Sequence, residues 1–376
     1  MKARTMTIAL ALLAIAMLLA GALPMGCDDS STQEYRIGIV TPSLSASEDE
    51  FRGAQKVSDK YPDMIKHIVL PDNFSEELET AITQITSLGD EEDIKAIIIC
   101  AGYDGILTAI QRVKEKRPDM VVITAPIWDD PDLMAQYIDL CLDTNWEKRG
   151  VTIPTKAQQM GAETFIHYSF PTHLSHESIS KRRDMMKQTC QTLGMTFVEV
   201  LTPDPQATGD YPAMLQFLGE DIPRQIARYG ADTCVFGTNC PMQDVIIAQA
   251  LELKFIMAEQ CCPTPTQGFP AAMGLEISEE DAGDFDQIND MIRQKAAEAG
   301  MTGRLSTWPI PVGVFFPEFS TEVAIGMIEG DIDRESISLE QLEPIAEEVA
   351  GVRVTFDPMK EEIDNYYLVI IDSIIY

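Results

Sequence analysis

Residues 35–60 read YRIGIVTPSLSASEDEFRGAQKVSDK, and this stretch sets the pattern that the rest of the chain follows. Its first seven residues are mostly apolar or β-branched and stop at Pro42, which predicts a buried strand. Ser47 with Glu50 three residues later is typical of a capping box, so a helix is expected to begin there and to run to about Lys60. The stretch therefore predicts a β-strand followed directly by an α-helix.

The same strand–helix unit recurs along the chain. Further apolar strands are expected at 65–70, 96–100, 120–125, 164–168, 196–200, 233–236 and 255–258, with helical patterns between them. Strands that begin about 30 residues apart with helices between them indicate βαβ units and a parallel sheet. The predicted fold class is α/β, with two Rossmann-like three-layer α/β/α lobes joined by hinge crossovers.

The repeated units divide the chain into two lobes. Residues 35–155 with about 310–335 are predicted to form an N-terminal α/β lobe, and residues 156–309 with about 336–376 a C-terminal α/β lobe. The last part of the chain carries two more apolar runs. If this tail crosses back, it caps both halves and ties them together through several hinge segments.

The first 34 residues have the pattern of an export signal. An almost unbroken apolar run at 8–23 is short for a spanning helix and fits the hydrophobic region of a signal peptide. A glycine directly before Cys27 and a polar segment after it resemble a bacterial lipobox, although Pro24 stands where leucine is usual. The resemblance implies a signal peptide at 1–26 and a lipidated, palmitate-bearing Cys27 that begins a tether at 27–34. The alternative is a plain secretory signal with an incidental cysteine.

The composition narrows the classes of partner. The chain has 28 Lys plus Arg against 60 Asp plus Glu, a formal net charge of −32, and 45% hydrophobic residues. That apolar content is ample for two domain cores. Nucleic-acid and anionic-membrane surfaces need basic patches, so neither is expected here. The chain beyond the signal has no second long apolar run, so lipid is its only expected attachment to a membrane.

Three segments carry a resemblance to a known family. They are IGIVTPSLSASEDEFRGA at 37–54, AIIICAGYDG at 96–105 and HYSFPTHLSHESISKRRDMM at 167–186. With the export signal, they make the chain resemble type I periplasmic-binding proteins, and more narrowly a family of uncharacterised lipoproteins usually described as ABC-transporter substrate-binding proteins. The resemblance implies an exported, lipid-anchored protein that captures a small polar molecule between two lobes and delivers it to an ABC permease, without catalysis or a cofactor.

Two other functions remain open. The first is a lipoprotein that senses a ligand and signals to a membrane partner without transport. The second is a metal-dependent hydrolase that uses His167, His173 and His176, which fall within ten residues of one another. The sequence contains no Gly-x-Ser-x-Gly elbow, phosphate loop or dinucleotide fingerprint, so we expect no enzyme, and no metal site is assigned.

The ends of the predicted strands supply the candidate ligand contacts. In open parallel sheets, ligands bind beyond the carboxyl ends of the strands. The expected contacts are Ser43, Ser45, Ser47, Tyr103, Asp104, Trp128, Asp129, Ser169, Phe170, His173, Asn239 and Glu259. Aromatic walls with a few directed polar groups are usual for small-molecule pockets. Single members have simpler explanations, such as a helix cap for Asp104 and lobe packing for Trp128.

Seven cysteines remain after Cys27. Their spacing matches no zinc pattern such as paired Cys-x-x-Cys, and a disulfide framework is not supported. Cys100 and Cys234 lie within apolar strands, and most of the seven are interpreted as reduced core thiols. The adjacent pair Cys261 and Cys262 is unusual, because neighbouring residues form only strained disulfides.

Overall fold

The computed structural model describes residues 35–74, 76–126, 128–279 and 281–376. The predicted signal peptide, the predicted lipidation site at Cys27 and the predicted tether lie outside these residues. No helix in the described ranges combines the length and apolar character needed to cross a bilayer.

Strands and helices alternate over most of the chain. The strands are β1 (Arg36–Thr41), β2 (Ile65–Val69), β3 (Ile94–Ile99), β4 (Val121–Thr124), β5 (Leu140–Thr144), β6 (Thr164–Ser169), β7 (Thr196–Leu201), β8 (Thr233–Gly237), β9 (Ser306–Thr307), β10 (Val354–Pro358), β11 (Tyr366–Ile371) and β12 (Ile374–Ile375). The helices are α1 (Glu48–Lys60), α2 (Leu78–Gly89), α3 (Leu107–Lys116), α4 (Pro131–Met134), α5 (Arg149–Gln159), α6 (Pro171–Leu174), α7 (Glu177–Thr192), α8 (Pro205–Thr208), α9 (Tyr211–Tyr229), α10 (Met242–Leu253), α11 (Phe269–Met273), α12 (Phe285–Glu298), α13 (Val312–Glu329) and α14 (Leu339–Ala350).

The first sheet has seven strands in the order β10-β11-β5-β4-β3-β1-β2, parallel except for β10. Alternate residues of β3 enter different cores. Ala96 and Ile98 join one core with residues of α1 and α13, whereas Ile97 and Ile99 join another with residues of α2 and α3. Successive side chains of a strand point to opposite faces, so this continuously apolar run is buried on both. The three-layer α/β/α prediction is confirmed.

The second sheet has a parallel core in the order β7-β6-β8. Single parallel bridges from Cys234 to Ile256 and from Met257 to Leu305 extend it, and β12 then pairs with β9 in antiparallel fashion. The strand expected at 255–258 is therefore present only as isolated bridges. Helices α5 and α7 pack on one face and α9 and α10 on the other.

The chain passes between the sheets three times: after β5, between β9 and α13, and between β11 and β12. The placement of the tail corrects the sequence prediction. Residues 336–376 were expected in the second lobe, but β11 pairs with β5 and β10 pairs with β11, so both strands complete the first sheet. The reason is that β5, which the sequence pattern missed, offers an open parallel edge beside β4.

The start of α1 also differs from the prediction in one detail. The helix begins after Ser47 as expected, but the side chain of Ser47 makes no capping hydrogen bond to the helix backbone. Its hydroxyl donates to the carboxylate of Glu50 instead. A complete capping box occurs elsewhere, where Ser338 and Gln341 begin α14.

Candidate functional site

The carboxyl end of the first sheet, called here the first edge, carries the serines of the β1–α1 loop. Ser43 and Ser45 lie 3.0 Å apart through their hydroxyl oxygens, and both donate to the carboxylate of Asp72 after β2, at 3.0 Å from Ser45. These two hydrogen bonds lower the pKa of Asp72. The serines expected to contact a ligand are therefore already hydrogen-bonded to a neighbouring acid, as Ser47 is to Glu50.

The aromatic residues of the first edge lie beside the loop after β3. Tyr103 stacks on Phe74 with ring centroids 4.1 Å apart. Trp128 is 64% exposed, and its indole passes so close to Gly102 that a Cβ there would lie 3.0 Å from the indole nitrogen. A side chain at position 102 would require the indole to shift by a few tenths of an ångström. Trp128 thus presents an open aromatic face to solvent.

The two acidic residues after β3 and β4 at this edge have roles that differ from those predicted. Asp129 accepts hydrogen bonds from the backbone N–H groups of Gly105, at 2.9 Å, and Leu107, at 3.1 Å. It therefore supports the start of α3, the role suggested for Asp104 as the alternative to ligand binding. Asp104 is exposed, and the residue in the N-cap position is Ile106.

The carboxyl end of the second sheet, the second edge, contains a short chain of hydrogen bonds. The Thr238 hydroxyl donates to Ser169 Oγ at 2.8 Å and lies 3.0 Å from His173 Nδ1. Because that hydroxyl proton is used on Ser169, Nδ1 carries the proton of the imidazole and Nε2 is left as an acceptor. The ring of His173 also stacks on buried Phe170, 5.0 Å away. Burial, then the charge of Arg182, lowers the pKa of His173 to about 4, so its ring is neutral at pH 7.

A cavity of about 310 Å³ opens at the second edge. It is lined by Trp146, His173, Ser178, Ile179, Arg182, Thr238, Asn239, Cys240, Cys261 and Cys262. The predicted contacts that it contains are His173 and Asn239. A larger cavity of about 710 Å³ between α1, α12 and the end of α14 contains none of the predicted residues.

Arg182 is the unexpected member of this cavity. Its side chain is 5% exposed, stacks on the Phe236 ring at 5.6 Å, and its Nε has no hydrogen-bond partner among the described residues. Burial and the nearby Arg149 lower the pKa of Arg182 to about 10, which still leaves it charged at neutral pH. The Oδ1 of Asn239 is likewise buried and without a partner in the described part of the chain. A basic triplet such as 181–183 is typical of a solvated helix face, and Arg182 departs from that pattern because its side chain is buried.

Glu259 does not serve the cavity, and its place among the expected ligand contacts is corrected. Its carboxylate pairs with fully buried Arg149 at 2.7 Å and accepts from Trp308 Nε1 at 3.0 Å and Ser373 Oγ at 2.7 Å. These three partners lie on or beside the three segments that connect the sheets. Glu259 therefore connects the three crossover segments, and both oxygens of its carboxylate already accept hydrogen bonds.

The histidines do not converge. His167 is fully buried on β6 with no hydrogen-bond partner for either ring nitrogen in the described ranges, and burial lowers its pKa to about 3. His173 and His176 meet edge to face, with centroids 6.2 Å apart. The metal-dependent hydrolase built on these three residues is therefore not supported by the geometry.

Three cysteines converge instead. Cys240 Sγ lies 3.3 Å from Cys261 Sγ and 3.6 Å from Cys262 Sγ, and all three sulfurs are within 4.8 Å of one another. We call this set the thiol cluster. Hydrogen bonds from the two neighbouring thiols lower the pKa of Cys240, and the pKa of Cys261 rises correspondingly. Five of the seven cysteines are buried, in line with the prediction that most are core thiols, and the two exposed ones are Cys240 and Cys262.

The sequence held a signal for the thiol cluster that spacing rules do not detect. Cys240 follows the end of β8, and Cys261 and Cys262 follow the next strand position at 255–258. Neighbouring parallel strands end at the same edge, so residues just beyond them meet there. Applying that rule to cysteines as well as to polar residues would have brought the three together.

Comparisons with known proteins agree with this architecture. The family described as "Protein of unknown function (DUF3798)" matches residues 35–306. A crystal structure from Clostridium difficile 630, described as a "putative transcriptional regulator", is 38% identical with a TM-score of 0.87, over 91% of this chain and 99% of that chain. An uncharacterized protein of Treponema pallidum (strain Nichols) is 27% identical over 182 residues, 46% of this chain and 82% of the relative.

A sugar ABC transporter structure from Actinomyces odontolyticus ATCC 17982 aligns with a TM-score of 0.52 at 9% identity, over 80% of this chain and 85% of that chain. At this identity the likeness concerns the fold alone. The resemblance to periplasmic-binding proteins is thereby confirmed for the architecture, with its parallel sheets flanked by helices.

Proposed function

Because this chain belongs to the DUF3798 family of proteins of unknown function, its role has to be inferred from its own site, and we propose that it is an exported solute-binding lipoprotein. It captures a small polar solute at the carboxyl ends of its strands, between the two lobes, and delivers it to an ABC permease. Lipid on Cys27 would hold it at the membrane.

One observation carries the proposal: a buried, charged Arg182 with an unpartnered Nε faces a 310 Å³ cavity at the second edge. An uncompensated buried cation and an unsatisfied amide oxygen are costly, and a small shift of the two side chains toward a bound solute would satisfy both. Arg182 and Asn239 together favour a solute with an acceptor or anionic group for Arg182 and a hydrogen-bond donor for the Oδ1 of Asn239. Trp146 adds an aromatic wall to the same cavity.

The first edge is the second half of the proposed site. Trp128 presents an exposed indole there, and exposed aromatic faces are favourable surfaces for flat or cationic groups. Binding proteins of this architecture bring such edges together by hinge closure. We propose that Trp128 and Tyr103 cover the solute after Arg182 and Asn239 have bound it.

The relative described as a "putative transcriptional regulator" supports a second candidate, a ligand-sensing protein without transport. The same cavity would serve either function. The net charge of −32 argues against direct contact of this chain with nucleic acid. Solute uptake by a strain that lacks the gene separates the candidates: transport predicts lost uptake, and sensing predicts unchanged uptake.

A thermal-shift screen of the full chain tests solute binding. The panel contains amino acids, organic acids, sugars, nucleosides and short peptides, and a true ligand at about 100 times its Kd stabilises the folded state by about 2.7 kcal/mol. Arg182→Met and Asn239→Ala should each weaken a hit at least about 10-fold, because each removes one of the unsatisfied groups.

Arg183→Met is the matched control, because Arg183 is the next residue on α7 and pairs with Asp184 and Glu199 outside the cavity. It should leave the affinity of a hit unchanged. A panel without a hit, or a hit whose affinity survives both Arg182→Met and Asn239→Ala, would contradict the proposed site.

A further inference from the structure

The thiol cluster lies in the wall of the same cavity, but no part of the proposed solute capture uses it. Its three sulfurs come from two loops, one after β8 and one after residue 258, and they meet within 4.8 Å. Two of the three residues are exposed and one is buried, so the cluster is accessible from the cavity.

The spacing of the sulfurs fits a single metal ion. Thiolates that bind one tetrahedral ion at about 2.3 Å lie roughly 3.8 Å from one another. The observed separations of 3.3 and 3.6 Å from Cys240 are close to that value. Iron–sulfur clusters usually take four cysteines spread over more than one iron, and hard cations prefer oxygen ligands. Three thiols at this spacing therefore favour one thiophilic ion.

Hydrogen bonds from two buried side chains hold the loop that carries two of the thiols. Arg149 donates to the carbonyl oxygens of Gln260 and Cys261, both at 2.6 Å. The Gln260 side chain donates to the carbonyls of Thr264, at 2.9 Å, and Gln267, at 3.0 Å. Outer contacts of this kind orient metal ligands and contribute to affinity.

Two positively charged side chains lie near the cluster. Arg149 and Arg182 are both buried, and Glu259 is the carboxylate that pairs with Arg149. Positive groups next to cysteines stabilise thiolates, which are the metal-binding form. Three thiolates around a divalent ion carry one net negative charge, and Arg182 is a suitable neighbour for it.

We propose that Cys240, Cys261 and Cys262 bind one thiophilic metal ion through three thiolates: either Zn²⁺, whose fourth tetrahedral position is then open to the cavity, or Cu⁺, whose coordination three thiolates complete. Each thiol that binds releases its proton to solvent, and no electron is transferred. The inference extends the proposed function. Only one part of it depends on that function, namely that a solute enters this cavity. A solute with an anionic oxygen, nitrogen or sulfur could then occupy the open position.

The simpler alternative is a disulfide between Cys240 and Cys261, whose sulfurs lie 3.3 Å apart. It would use two of the three thiols and leave Cys262 beside it without a role. The convergence of three thiols on one point in the cavity wall favours the metal ion.

Metal titration of the reduced full chain under nitrogen tests the proposal. Co²⁺ should bind with a stoichiometry of one and produce thiolate-to-metal charge-transfer absorption, and Zn²⁺ should displace it. Competition with chelators selective for Zn²⁺ and for Cu⁺ ranks the two ions. Cys240→Ser and Cys262→Ser should each lower the metal affinity by about 100-fold or more. Loss of a residue that only hydrogen-bonds to a metal ligand usually has a smaller effect.

Cys141→Ala is the control, because Cys141 is buried on β5 in the first sheet and should leave metal affinity unchanged. Absence of Co²⁺–thiolate absorption, affinity that is equal in all variants, or a Cys240–Cys261 disulfide that mass spectrometry still finds after reduction would overturn the proposal. The solute screen is run on chelator-treated protein and again with Zn²⁺. Solute hits without metal binding overturn only the metal site, and metal binding without any hit overturns only solute capture.

Discussion

The two edges differ in whether their polar groups have hydrogen-bond partners, although the sequence predicted ligand contacts at both. At the first edge, Ser43 and Ser45 donate to Asp72, and Asp129 accepts from the backbone of the α3 start. At the second edge, Arg182 and Asn239 keep buried atoms without partners in the described ranges. Satisfied polar groups stabilise a loop, whereas buried unsatisfied ones are retained at a cost and are therefore candidates for ligand contacts. For this reason the proposed solute contacts lie mainly at the second edge.

The largest expected effect concerns the ion pairs near each edge. Glu259→Gln leaves Arg149 buried without a counter-charge, and the free energy of unfolding should fall by about 3–5 kcal/mol. Asp132→Asn breaks the exposed pair between Asp132 and Lys360 near the first edge and should leave the free energy of unfolding nearly unchanged. Urea denaturation measures both. Equal losses in the two variants would remove the contrast between the edges.

An intermediate effect is expected for Asp129. Asp129→Ala leaves two N–H groups at the start of α3 without their acceptor and should destabilise the fold by about 1 kcal/mol, with solute affinity unchanged. Asp104→Ala is the matched control, since Asp104 is exposed on the same loop. If Asp129→Ala left the stability unchanged but abolished solute binding, Asp129 would be a ligand contact. The contrast between the two edges would then be wrong.

A further expected effect is a pH dependence on the first-edge side. Burial, then the neighbouring Glu50 and Glu48, raises the pKa of Asp49 in α1 to about 7. The folded state therefore holds this proton more tightly than the unfolded state, so its stabilising contribution is complete below about pH 4 and is lost as pH rises through about 7. Asp49→Asn should flatten the fall in unfolding free energy between about pH 4 and pH 7.

Asp59→Asn removes a carboxylate from an exposed position of the same helix and serves as the control. Denaturation midpoints at several pH values give the comparison. Coincident profiles for Asp49→Asn and the unmodified chain would show that Asp49 does not cause the pH dependence.

Much of the fold could be predicted from local patterns. The runs at 65–70, 164–168 and 233–236 coincide with β2, β6 and β8 to within a residue, because apolar strands and helical periodicity are local properties. The strand β5 was missed, since its apolar core Leu140-Cys141-Leu142 is short and lies between two acids. Because β5 was not predicted, the strand that pairs with β11 was unknown, and the tail was assigned to the wrong sheet.

The site was predictable only in part. The strand-end rule located His173 and Asn239, but it also selected Glu259, which is bound by Arg149. It missed Arg182, because a basic helical triplet gives no sign of which member turns inward. It passed over Cys240, Cys261 and Cys262 because the spacing rules for cysteines describe ligands close together in sequence.

The sequence alone determined that this chain forms βαβ units and places polar and aromatic residues at the carboxyl ends of its strands. These features follow from side-chain periodicity and from where parallel strands end. The tertiary structure decided which of those residues are satisfied, which are buried without partners, and which cysteines meet. Those properties depend on contacts between segments far apart in the chain, such as Arg149 with Glu259 and Cys240 with Cys261, and no local pattern contains them.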